Sequence, residues 1–299
     1  MKVAIVGASG LIGRHLATAL RARGDEVVAV SRSGSVAGGM AVRWDPAHEA
    51  LPAAARDGVD AVVNLAGTPL TAGRWSTDTR RAILASRLDT TRGVADALGD
   101  GGPAVLVNSS AVGYYGPTED AVDESAPAGD DFLATVCSAW EAAAMTASPR
   151  GRVVCTRTGI VLSPDGGAWP RLARVARLGV LGPLGSGRQW VPWIHVADEV
   201  AALCWCLDHD EVEGPANLVA PEAVRQAEFA SAVRRAVHRP KAPPAPATLV
   251  RLALGESATL VLTGQRAVPS VLDKCGFAFG FPCLDGALVA LVGGGRARP

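Results

Sequence analysis

Continuous apolar runs and helical spacings alternate along the first half of the chain. Val3–Val6 is an unbroken apolar run closed by Gly7, the pattern of a strand buried on both faces of a parallel sheet. From Leu11 to Arg23, residues Leu11, Ile12, His15, Leu16, Ala19 and Leu20 share one helical face, and Gly24 ends the pattern. Glu26–Ser31 returns as a second strand. Ala41–Trp44, Ala61–Leu65, Ala104–Ser109 and Val153–Thr158 read as further strands, with helices over about Thr77–Leu98 and over Phe132–Met145. Strands alternating with helices predict an α/β fold with a doubly wound, Rossmann-type parallel sheet.

Beyond about Thr158 the punctuation changes. Ser163–Gly167, Gly179–Gly187 and Pro240–Pro246 are rich in glycine and proline. Trp190–Val196 and Ala216–Val219 still read as strands, and Asp198–Leu207 and Gln226–Val237 as helices. The expected organisation is a dinucleotide-binding domain over 1–157 and, over 158–299, a mainly substrate-side lobe in which about 190–220 returns to the Rossmann sheet. Gly293–Pro299 reads as a disordered tail.

Composition narrows the function classes. The chain has 299 residues, 48% of them hydrophobic, and 29 basic residues balance 29 acidic ones. That leaves no basic excess for nucleic acid or a membrane surface. No apolar stretch has membrane-spanning length. The apolar run before Gly7 is too short for a signal peptide, so the expected location is the cytoplasm. The six cysteines form no CxxC pair and no zinc spacing, and read as small buried hydrophobes in a reducing compartment. No metal site is expected: Asp120, Asp123 and Glu124 form an acidic loop without the ordered spacing of an oxygen cage.

The chemistry starts at Gly7-Ala8-Ser9-Gly10-Leu11-Ile12-Gly13, a GxxGxxG turn between the first strand and the first helix. Gly7 permits the tight turn, Gly10 lets the backbone approach a pyrophosphate, and Gly13 lets helix and strand pack closely. The helix N-terminus then offers free N–H groups to the phosphates. At the end of the second strand an acid would hydrogen-bond the ribose of NAD, whereas an arginine accommodates the 2′-phosphate of NADP. Here stand Ser31 and Arg32, and no acid, which points to NADP(H). The competing reading of Arg32 is a solvated surface arginine.

Several motifs resemble the extended, epimerase-like short-chain dehydrogenase/reductases. They are Asn64-Leu65-Ala66-Gly67 after the fourth strand, Ser109-Ser110 with Tyr114-Tyr115-Gly116, Trp193-Ile194-His195-Val196 with Asp198, and Ala216-Asn217-Leu218. Arg74-Trp75, Ser86-Arg87-Leu88, Trp140-Glu141-Ala142-Ala143, Pro192-Trp193-Ile194-His195 and Gly264-Gln265-Arg266 resemble an atypical branch, the YfcH-like epimerase family proteins. The resemblance spans essentially residues 1–290. It implies that Ser31, Arg32, Leu65, Ala66, Arg87 and Leu162 lie around the cofactor, with Gly67 and Ser109 at its side. Taken as residue types alone, Arg87 is equally a helix-surface ion-pair partner and Leu162 is core-like.

The usual Tyr-x-x-x-Lys proton-transfer pair of the superfamily is absent. Lysine occurs only at 2, 241 and 274, and counting back from Glu141 puts Leu133 and Cys137 where tyrosine and lysine would stand. Tyr114 and Tyr115 become the candidate proton donors, with Ser110 as a hydroxyl that polarises a carbonyl. The competing reading makes both tyrosines turn residues that pack a loop. His195 reads as a structural histidine ahead of a catalytic one. Trp169, Trp190 and Trp193 line either a pocket or the core. Two functions stay open: an NADP(H)-dependent oxidoreductase or epimerase acting on a small molecule, and a cofactor-binding sensor or scaffold without turnover.

Overall fold

The computed structural model describes residues 1–36, 39–70, 75–99 and 101–293. Apolar runs in the first half become adjacent strands: β1 (Lys2–Val6), β2 (Glu26–Ser31), β3 (Val42–Arg43), β4 (Ala61–Asn64), β5 (Val105–Ala111) and β6 (Arg152–Thr158). Besides the two-residue strands Gly166–Gly167 and Trp190–Val191, β7 (Ile160–Ser163) and β8 (Trp193–His195) follow before the sheet is rejoined. The last sheet strand is β9 (Gly214–Leu218). The seven-stranded sheet runs in the order β9-β6-β5-β4-β1-β2-β3, and every neighbouring pair is parallel. This is the Rossmann-type doubly wound fold that the apolar runs predict.

Because side chains alternate along a strand, each face of the sheet builds its own core. Val3, Ile5, Val63, Val107, Val154 and Leu218 pack against α1 (Leu11–Ala22) and, further along the chain, α5 (Val196–Asp208). On the other face Ala4, Val6, Val62, Leu106 and Cys155 pack with residues of α2 (Thr77–Ala95) and α3 (Phe132–Met145). Ser76 and Asp131 cap α2 and α3 by accepting the N–H groups of Thr79 and Ala134.

After Thr158 the chain forms a further core. β7 and β8 pair in parallel outside the main sheet, and Gly166–Gly167 folds back antiparallel on β7. Leu162, Trp169 and Trp193 are buried there with residues of α4 (Trp169–Arg177), α6 (Gln226–Ala236) and α8 (Leu284–Val292). Between α6 and α8 lies α7 (Ala247–Leu254), none of whose residues is buried.

The single strand expected over Trp190–Val196 is split at Pro192. Trp190–Val191 pairs with Val224–Arg225, and β8 pairs with β7. Proline supplies no N–H to continue a ladder, so the two halves join different sheets. Within 190–220, only Gly214–Leu218 enters the seven-stranded sheet. Arg74 and residues 294–299 of the expected tail lie outside the described residues. Among those described, no helix is long and apolar enough to cross a membrane.

Candidate functional site

The carboxyl ends of β1, β2, β4 and β5 open onto a cleft with two chambers. The first, of about 270 Å³, is lined by Val6, Gly7, Ser9, Gly10, Ser31, Arg32, Leu65, Ala66 and Gly67, with Trp44 to Ala47 along one side. The second, of about 290 Å³, is lined by Gly7, Gly10, Leu11, Ile12, Gly13, Leu65 and Ser109, with Ile160, Val161, Gly167 and Ala168 opposite. Gly7 has φ +86°, and a Cβ there would lie 3.0 Å from the Leu65 carbonyl carbon and the Ala66 nitrogen. A Cβ on Gly13 would fall 2.4 Å from the Gly7 oxygen. Side chains would therefore clash with the packed backbone here; glycines let the turn and helix sit this close along the cleft. Ala8, beneath it, is buried.

Gly10 is the N-cap of α1. No side chain caps the helix there and its first turn carries no acid, so its N–H groups remain available to an anion. Arg32, at the end of β2, is exposed and lines the first chamber; among the described residues it has no ion-pair partner. Ser31 lines the same chamber, yet its hydroxyl is directed 3.1 Å to the Ser35 carbonyl. A cradle of glycine backbone, an uncapped helix start and an unpaired arginine fit a phosphorylated dinucleotide.

Two residues implied by resemblance sit differently. Arg87 lines neither chamber. It is buried below Gly67, whose Cβ position lies 3.3 Å from the guanidinium carbon, and donates to the Thr68 and Ile83 carbonyls at 3.1 and 3.0 Å. Trp140 covers it at 4.9 Å, and burial holds its pKa below the usual arginine value. It is thus no surface ion-pair partner. The Leu162 side chain is fully buried in the second core and lines neither chamber, while its neighbours Ile160 and Val161 reach the cleft wall.

The candidate proton donors meet a buried polar cluster. Arg157, 3% exposed, grips Glu141 through Nε and Nη2 at 2.9 and 2.8 Å. The Ser110 hydroxyl donates to the same carboxylate at 2.6 Å. Tyr115 donates to Asn217 Oδ1 at 2.7 Å and accepts from Arg157 Nη1 at 2.9 Å; burial pushes its phenol up to about 12. Burial works against the Arg157 charge, but Glu141 outweighs it and the pKa of the guanidinium stays above its usual value. Glu124, from the acidic loop, accepts the N–H groups of Asn217 and Val271 at 2.9 and 3.2 Å. Tyr114 is half-buried with its ring 3.5 Å from the Arg157 guanidinium carbon; among the described residues its hydroxyl has no hydrogen-bond partner.

Leu133 and Cys137, on α3, offer no proton chemistry. Burial pushes the Cys137 thiol up to about 12. His195 caps α5, its Nδ1 accepting the Ala197 N–H at 3.2 Å, and burial lowers it to about 4. Trp169 and Trp193 belong to the core, whereas Trp190 is half-buried with Arg225 stacked 3.6 Å from its ring.

This cleft and sheet define a dinucleotide-binding protein of the Rossmann class. Comparison with known proteins is consistent and sharper. A profile of the NAD dependent epimerase/dehydratase family matches residues 3–220, and a domain of unknown function, DUF1731, matches 245–291. An epimerase family protein of Mycobacterium bovis is 44% identical over 280 residues, covering 93% of both chains. A crystal structure of human epimerase family protein SDR39U1 with NADPH superposes at a TM-score of 0.91 with 36% identity, over 98% of this chain and 100% of that one. A nucleoside-diphosphate sugar epimerase from Corynebacterium glutamicum has a TM-score of 0.80 and 29% identity, over 99% of this chain but 59% of its own. The chain belongs to the NAD dependent epimerase/dehydratase family, in its atypical short-chain dehydrogenase/reductase branch.

Proposed function

We propose that this chain binds NADP(H) in the two-chambered cleft and acts as an epimerase-like oxidoreductase on a small carbonyl compound, without a Tyr-x-x-x-Lys pair. The observation that carries the reading is the glycine-floored cleft with unpaired Arg32 at its first chamber. The human relative crystallised with NADPH supports the same cofactor. Gly10 and the first turn of α1 would hold the diphosphate, Arg32 the 2′-phosphate, and Leu65, Ser109, Ile160 and Val161 would flank the remainder. When bound, the dinucleotide supplies a hydride from its nicotinamide ring.

Proton supply falls to Tyr114. Ser110 and Tyr115 already donate their hydroxyl protons to Glu141 and Asn217, whereas the Tyr114 hydroxyl is uncommitted among the described residues. A phenol without a lysine beside it donates better than it abstracts at neutral pH, so carbonyl reduction should run better than alcohol oxidation. The test is a screen of aldehydes, ketones and enones with NADPH, repeated for any positive with Tyr114→Phe. Loss of turnover with NADPH affinity intact supports Tyr114; undiminished turnover removes it from the mechanism.

The second reading, a cofactor-binding sensor without turnover, is favoured by the same commitment of Ser110 and Tyr115. A broad screen with no turnover alongside firm NADPH binding would select it. All six cysteines are free thiols, which suits a reducing compartment such as the cytoplasm.

A further inference from the structure

One wall of the second chamber is a hairpin. β7 and Gly166–Gly167 carry Ile160, Val161 and Gly167 across from the glycine floor, with Ala168 just beyond. The base of this hairpin is fixed, because Leu162 and Trp169, on either side of its tip, are both buried in the second core. The tip is fastened elsewhere, to α1. Arg14 Nη2 donates to the Asp165 carbonyl at 2.7 Å, and His15 Nε2 lies 3.1 Å from Asp165 Oδ2. Gly167 lies flat on Leu11, where a Cβ would be 3.0 Å from Cδ2. The Asp165 side chain is 56% exposed.

We infer that this hairpin is a strap across the cofactor, latched to α1 through Asp165, and that the latch is weak enough for the dinucleotide to exchange with solvent between turnovers. The inference rests on the cofactor reading above and adds a reaction class to it. Solvent-exposed polar contacts of this kind contribute little and break readily, whereas the apolar base keeps the strap in register. A reaction that returns its hydride to the same substrate needs no exchange. A net reduction does: the carbonyl carbon gains hydride from NADPH, its oxygen gains a proton, and NADP⁺ must leave. A latch of one exposed hydrogen bond and one His15–Asp165 approach that makes no hydrogen bond suits the second.

The experiment follows NADPH fluorescence in the full chain after mixing the preformed complex with excess NADP⁺, for wild type, Arg14→Ala and Asp165→Ala. Adenosine 2′,5′-bisphosphate, which reaches the first chamber but lacks the nicotinamide half, serves as the control ligand. Wild-type NADPH should be displaced completely within the measurement. Dissociation should be about fivefold faster in Arg14→Ala, while affinity for the bisphosphate stays unchanged. Unchanged NADPH dissociation in both variants overturns the latch. Equal weakening of both ligands also overturns it, since that marks general destabilisation. Wild-type protein that retains NADPH through gel filtration overturns the exchange claim. If neither NADPH nor the bisphosphate binds wild type, the cofactor reading falls and the strap with it.

Discussion

Ser109 and Ser110 are sequence neighbours with opposite fates. Ser109 lines the second chamber, on the face of the sheet that α1 and α5 cover. Ser110 points to the α3 side, where its hydroxyl is spent on Glu141. The contrast extends to the regions they belong to. Along the cleft, although the Ser31 hydroxyl is committed to Ser35, the helix start is uncapped and Arg32 has no ion-pair partner among the described residues. Around Arg157 most donors and acceptors are spent on one another, holding β5, β6, α3 and β9 together; among the described residues only Glu124 Oε2 and the Tyr114 hydroxyl are left over. Unspent polarity beside an open cavity is what a ligand site looks like; spent polarity in a closed one is architecture.

The largest effect should come from breaking the closed region. Arg157→Met leaves Glu141 buried without its counter-charge and should cost about 3–5 kcal/mol in urea unfolding. A variant of near wild-type stability would show that the cluster carries no structural load. In the open region, Gly10→Leu should lower NADPH affinity by roughly a hundredfold or more, about 3 kcal/mol, by obstructing the phosphate approach. Its circular dichroism should match wild type, because only the Gly7 carbonyl, at 3.2 Å, crowds the new Cβ. Normal NADPH affinity in that variant would remove this turn from the cofactor site.

Glu199 sharpens the comparison because it is buried like the closed region but unbalanced. Thr158 donates to its Oε1 at 2.9 Å, and Oε2 has no partner among the described residues. Burial pushes the carboxyl from its ordinary 4.5 up to about 8. The folded chain thus retains a proton that the unfolded chain releases, and wild-type stability falls as pH rises from about 4.5 to about 8. Glu199→Gln keeps the acceptor for Thr158 without the charge. The two proteins should have similar urea midpoints near the acid end, with the variant ahead by on the order of 2 kcal/mol above pH 8. Parallel pH profiles would contradict the assignment.

The glycine turn and the Arg32 position were legible in the sequence because they depend on local order: apolar run, glycines, helix, strand end. The central strands were legible for the same reason. Strand parity also held the Ser109–Ser110 distinction, since Val105, Val107 and Ser109 share a face; the resemblance put Ser109 beside the cofactor, while Ser110 was given a catalytic role that its commitment to Glu141 does not suit. The cluster was not legible, because its partners are remote: Asn217 stands 102 residues from Tyr115. By residue type alone Arg87 was equally a helix-surface ion-pair partner, because nothing local shows that Gly67 and Trp140 close over it. α4, α7 and α8 were missed among the glycines and prolines of the second half, where turn residues obscure short helices.

Arg32 gives the smallest of these effects and the most direct reading of the central claim, that the cleft is built for a 2′-phosphorylated dinucleotide. The measurement is the ratio of NADH to NADPH dissociation constants, in wild type and in Arg32→Ala. Wild type should bind NADPH more tightly, and the substitution should shrink the gap by about tenfold, the worth of one charge-assisted contact at an exposed site. Equal affinities for the two dinucleotides in wild type would contradict it.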